Sequence, residues 1–242
     1  MRIAIHQPNY LPWLGYFYKI HASDVFVFHD NVEYTKGYIK RSLIRKTLHS
    51  KDTRWLTVPV QKHNDYEKIA NLRIANLTWT KDHLNRIRNI YRNAPFFDSH
   101  FNEFESYLNT SVTNCELLAD LNIALIQWIC KRIGLKEPSN RSSNLSVNGY
   151  KSEYNAKLAE FFGATVYLSG SGARNYNNPQ DFEARGIHLT YSDFHSFLKD
   201  NPYYQPQGEY IPGLTILDAL FNVDVEGISH IFDEYDTHLR TQ

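Results

Sequence analysis

Cysteine is nearly missing from this 242-residue chain: Cys115 and Cys130 are the two that occur. They stand about four helical turns apart in a segment of helical periodicity, too far to bridge within one straight helix. Neither a disulfide framework nor a cysteine-based metal or redox centre therefore organises the molecule, and both side chains are expected as small buried apolar groups. Excess charge of either sign is missing too. Lys plus Arg number 26, as do Asp plus Glu, so no global field steers the chain toward nucleic acid, which is not expected as a partner. No run of eighteen apolar residues occurs and no charged-then-apolar leader opens the chain, so a cytoplasmic protein without integral membrane contact is expected. P-loop, GxGxxG, HExxH and His-x-x-x-His patterns are absent. A metal site is not expected, and the sequence names no cofactor and no oligomeric state. Internal repeats and low-complexity stretches are lacking as well.

Aromatic residues, in contrast, are plentiful: 17 Tyr, 14 Phe and 4 Trp. Tyr and Trp combine a large apolar face with a polar edge, which suits sugar rings or bases as well as a core. With 42% hydrophobic and 21% charged residues, the chain is long enough for a sizeable core. Residues 2–5 and 24–28 read as strands around a short helix at 13–21, the start of a β-α-β pattern. A polar, basic loop with some extended character follows at 30–46, then a strand from Trp55 to Val60. Helical periodicity dominates 80–92, 98–108 and 114–133, the last closed by Gly134. Past a polar loop at 137–144, helix 151–162, strand 165–168, a glycine loop at 169–172, helix 179–185, strand 187–191 and helix 214–222 restore the α/β alternation. The expected fold is a single α/β domain over residues 1–242. It has a mostly parallel sheet, a Rossmann-like three-layer core, and a helical insertion or subdomain at 80–134.

The polar groups cluster where such strands end. His6 lies at the carboxyl end of the first strand, where open α/β sheets place ligands, and imidazole exchanges protons or stabilises an oxyanion. Gln7 and Asn9 beside it suit sugar hydroxyls, an amide or a base edge, and Tyr16 offers a stacking face. Strand 24–28 ends in His29-Asp30, and Asp30 is the candidate to orient His6. The segment from Lys36 to Lys46 concentrates cations; Arg41 and Arg45, then Lys36, are its candidates for a phosphate or diphosphate. At Ser169-Gly170-Ser171-Gly172, glycines free the backbone for close approach, with Arg174 and Tyr176 following. The run misses G-x-S-x-G at its first position, which argues against a serine nucleophile. Gln205, in a loop expected to close over the site, is a further polar contact.

Taken together, HQPNYLPWLGYFYKI, SDVFVFHDNVEYTKG, WLTVPV, YRNAPFF, VYLSGSGARNY and YYQPQGEYIPGLTILDALFN resemble the WbqC-like family, in order, over about residues 3–222. That resemblance implies a place in bacterial O-antigen or other surface-polysaccharide biosynthesis. It implies an enzyme working on an activated sugar or on its acyl decoration; together with His6, the arginines and the glycine turn, the leading expectation is a transferase forming an amide or ester on an activated amino sugar, with a nucleotide sugar and an acyl donor as small-molecule partners. Matching positions include His6, Gln7, Tyr16, Asp30, Lys36, Arg41, Gly170, Gly172, Tyr176 and Gln205; Thr215 and Ala219 depart mildly from the family ending. A weaker likeness to nucleotidylyltransferases and pantoate ligases keeps ATP-dependent activation as an alternative, although Asn9 stands where their HxGH pattern has its second histidine. A non-catalytic sugar-nucleotide-binding protein is the third reading.

Overall fold

The computed structural model describes residues 1–241. It opens with β1 (Arg2–His6), α1 (Leu14–His21) and β2 (Val25–Phe28). A strand pair follows, β3 (Arg41–Arg45) and β4 (Thr53–Thr57), then α2 (Trp79–Tyr91), α3 (Phe97–Asn114) and α4 (Leu118–Arg132). The second half carries β5 (Asn140–Arg141), α5 (Lys151–Phe161), β6 (Val166–Gly170), α6 (Pro179–Glu183) and β7 (His188–Ser192). Two helices end it, α7 (Phe194–Asp200) and α8 (Ile216–Arg240).

Five strands form one parallel sheet in the order β5-β2-β1-β6-β7. Alternation along the strands divides the core in two. Ala4, Phe26, Phe28 and Leu168 pack toward α1, α4 and α8, whereas Ile3, Ile5, Val27 and Tyr167 pack toward α5 and α6. These are the three layers of an α/β fold with helices on both faces. The chain leaves β1 on one side to build β2 and returns on the other as β6. The carboxyl ends of β1 and β6 thus flank a topological switch point, where such sheets open a crevice.

Some stretches differ from their sequence reading. The basic segment is no loop throughout: Arg41–Arg45 pairs antiparallel with Thr53–Thr57 in a separate two-stranded sheet, with Ile44, Leu56 and Val58 buried beneath it. The polar loop at 137–144 contains the two-residue strand β5, whose backbone extends the main sheet through Val27 opposite Asn140. Helix α8 runs far past Asn222, bending at Asp224, which takes a positive φ of 62°. Its second half buries Ile228, Ile231, Phe232 and Tyr235, a helical stripe beyond the segment read as helix. In α1, glycine is required at position 15, since a Cβ there would stand 2.2 Å from the Trp13 ring.

Candidate functional site

A crevice of about 560 Å³ opens at this switch point. Its walls come from the ends of β1, β6 and β7 and from one face of α1, with His29 just past β2. On α1, Gly15, Tyr16 and Lys19 line it together, as residues one helical turn apart do. Trp13 stands beside them, its ring 5.5 Å from that of His195.

His6 is held from below. Its Nδ1 lies 3.0 Å from the Gln7 carbonyl oxygen, which also accepts from the Tyr16 hydroxyl at 3.1 Å. A carbonyl only accepts, so Nδ1 carries the proton and Nε2 keeps its lone pair. The Tyr16 ring meets the imidazole edge-on at 4.7 Å. Burial and the neighbouring Lys19 charge hold the His6 imidazole down at about 3, against the Gln7 carbonyl, which favours the charged ring. His29 is pushed down to about 4, also by burial, with Asp30 opposing.

Lys19 is 5% exposed, and burial lowers its amine to about 7. Its ammonium stands 6.0 Å from the Tyr16 ring centroid. Among the described residues no Asp or Glu lines the crevice. The Asn155 Oδ1 atom, on a crevice-lining residue, is buried without a hydrogen-bond partner in the protein.

The β6 turn supplies Ser169, Gly170, Ser171 and Gly172. Gly170 has an ordinary extended backbone, φ −80° and ψ 150°, and open space surrounds the Cβ positions of both glycines. The fold does not demand glycine there, and the bare main chain faces the cavity. Buried Ser169 accepts a hydrogen bond from Asn177 Nδ2 at 3.0 Å. Among the described residues no group of three or more His, Cys, Asp or Glu side chains is placed to hold a metal ion.

Of the residues singled out in the sequence, His6, Gln7, Tyr16, Gly170, Gly172 and Tyr176 meet at this crevice. Asp30 does not orient His6. Fully buried, it accepts from Arg141 Nε at 2.7 Å, from the Ser143 amide at 2.9 Å and from the Ser143 hydroxyl at 2.8 Å. These bonds fasten the end of β5 to the end of β2. Arg45 is also fully buried and donates to Ser50 O, Glu209 O and Gln205 Oε1. Gln205 in turn donates to Asp218, which also accepts from Tyr91 and Tyr203 at 2.7 Å each. Arg45 and Gln205 thereby anchor the 203–211 segment to α8. Arg41 packs 4.2 Å from the Trp55 ring centre and donates to Gly37 O. Lys36 is exposed and Asn9 buried, both outside the crevice lining. Arg174 stacks on Tyr191 at 4.3 Å and pairs with Asp193.

Lys19, Lys151 and Asn155 were not among the candidates. For Lys19 a signal existed: it is the one cation in the apolar run LGYFYKI, three residues from Tyr16 on the helix that follows the His6 elbow. Lys151 and Asn155 reach the crevice from α5, a helix distant in sequence and carrying no motif.

A family model described as the WbqC-like protein family matches residues 7–230, nearly the whole chain. The chain is also 33% identical over 236 residues to the uncharacterized protein Rv1507c of Mycobacterium tuberculosis, an alignment covering 95% of this chain and 97% of that protein. No solved structure matches. No helix among the described residues is long and apolar enough to cross a membrane.

Proposed function

The chain belongs to the WbqC-like protein family, and we propose that it is a transferase forming an amide or ester on an activated amino sugar, carried as a nucleotide sugar. The observation that supports this reading best is the unprotonated Nε2 of His6 in a crevice at the sheet's switch point, fixed by the Gln7 carbonyl on the other ring nitrogen. In the proposed reaction the sugar's amine or hydroxyl attacks the carbonyl carbon of a thioester acyl donor. Nε2 accepts the proton lost by the nucleophile as the new C–N or C–O bond forms. The C–S bond breaks, and the proton passes to the departing thiolate. Gly170 and Gly172 let a substrate lie against the main chain, Trp13 and Tyr176 offer faces for a sugar or base, and Asn155 Oδ1 is free to accept from a hydroxyl.

Purified protein incubated with nucleotide-linked amino sugars and acyl thioesters, and followed by mass, tests the reading. The expected result is a sugar heavier by the acyl group, with turnover reduced about 10²–10⁴-fold in His6→Gln. Absence of transfer across the panel, or a folded His6→Gln protein with unchanged kcat, overturns it.

A further inference from the structure

The crevice contains a charge with no counterpart. Lys19 is buried on the crevice face of α1, its ammonium 6.0 Å from the Tyr16 ring centroid. Isolated ammonium groups are costly to bury, and proteins usually place a carboxylate beside them. Here burial alone accounts for the lowered basicity of Lys19, and the titratable groups lining the cavity are histidines, tyrosines and a second lysine, Lys151, with no acid among them in the described residues. Neither of the two arginines that the sequence offered for an anion lines the crevice: Arg45 donates through both terminal nitrogens to Ser50, Glu209 and Gln205, and Arg41 lies against Trp55.

We infer that the crevice binds its ligand through an anionic group, a phosphate or a carboxylate, seated on Lys19. The inference rests on reading the crevice as the substrate site and names the chemistry that site recognises. An anion there supplies the missing negative charge, and the low-dielectric surroundings that make Lys19 costly when alone strengthen the pair once formed. Proton uptake follows. Burial lowers the Lys19 amine to about 7, and a bound anion favours its charged form. Burial moves the histidines and tyrosines facing the cavity away from that value. His6, His29 and His195 are shifted downward by burial, Tyr16, Tyr167 and Tyr176 upward, and Lys151 lies exposed at the rim.

Calorimetric titration with inorganic pyrophosphate and with malonate, at pH 7.5 in buffers of different ionisation enthalpy, tests this on the wild type, Lys19→Met and Lys19→Arg. The wild type is expected to bind at least one of the two anions and take up a fraction of a proton. Lys19→Met should bind at least tenfold more weakly, and Lys19→Arg should bind without proton uptake, since arginine stays charged. Preference for pyrophosphate identifies phosphate recognition; preference for malonate identifies a carboxylate. Thermal melting establishes that each variant is folded, and if Lys19→Met is not, the loss of proton uptake in Lys19→Arg decides. Failure of the wild type to bind either anion, equal binding by folded Lys19→Met, or unchanged uptake in Lys19→Arg overturns the inference. A protein that binds neither anion yet transfers acyl groups in a His6-dependent manner removes this inference and leaves the transferase reading standing. Anion binding through Lys19 without any transfer does the reverse.

Discussion

Acid should destabilise this fold well before its carboxylates titrate, and three histidines set the window. His6 is held at about 3, and His29 and His83 at about 4, each chiefly by burial. An unfolded chain returns all three to about 6.5. Between those values the unfolded state binds protons that the folded state refuses, so stability rises with pH and falls as pH drops below 6.5. At 1.36 kcal/mol per unit, a histidine excluded from protonation costs about 2 kcal/mol at pH 5 relative to pH 8. Allowing for partial solvent access to His6 and His29, the three together cost about 4–6 kcal/mol. Against a total of about 5–15 kcal/mol for a typical domain, that loss is large. The assay is urea unfolding at pH 8, 6.5 and 5, with His83→Gln as a control that lies outside the crevice on α2 and pairs with the Tyr10 hydroxyl at 3.0 Å. The wild-type midpoint should fall steeply between pH 6.5 and 5, and His83→Gln should lose about a third of that slope. A midpoint unchanged from pH 8 to 5, or a slope in His83→Gln equal to that of the wild type, refutes the reasoning.

Two further substitutions separate architecture from chemistry. Asp30→Ala removes a buried carboxylate that accepts from Arg141 and Ser143 and should destabilise by about 1–3 kcal/mol, because charge-assisted hydrogen bonds tying β5 to β2 are lost while Arg141 keeps Asp120; a denaturation midpoint equal to wild type would contradict that structural role. Gly170→Ala should leave stability within about 0.5 kcal/mol of wild type, since its φ is ordinary and its Cβ has room, while weakening crevice ligands or turnover; a variant unchanged in both stability and activity removes the β6 turn from the site.

Much of the fold was legible because its signals are local. Alternation in Val25-Phe26-Val27-Phe28 sends Val27 to one core and Phe26 and Phe28 to the other, and the His6 elbow falls at the end of β1 as the short apolar run before it requires. Strand β5 was not legible. Two polar residues, Asn140 and Arg141, carry no β pattern, and they join the sheet because backbone groups pair with β2 and Asp30 grips Arg141. The basic segment misled for a related reason. Charge density at Arg41 and Arg45 reads as solvent-facing, yet Arg45 finds partners more than 150 positions later in Gln205 and Glu209. Sequence proximity of cations says little about which are free to meet a ligand. Burial without a partner says more, and it depends on contacts the linear sequence does not display.

The crevice therefore couples two groups that the sequence presented separately. Lys19 is the second cause of the depressed basicity of His6, after burial, and both line one cavity from adjoining elements, β1 and α1. A histidine held near 3 is a weak proton acceptor at neutral pH, and catalysis by it is more effective as its basicity approaches the working pH. On the proposed reading, a phosphate seated on Lys19 brings more negative charge than the proton taken up by the lysine offsets, and that net negative charge favours the protonated ring and raises the basicity of Nε2. The substrate's anionic group would then prepare the base that deprotonates the substrate's nucleophile. Without that group His6 stays neutral and weak, so the amino sugar lacking its nucleotide phosphates would be a poor substrate through a lowered kcat as well as a raised KM.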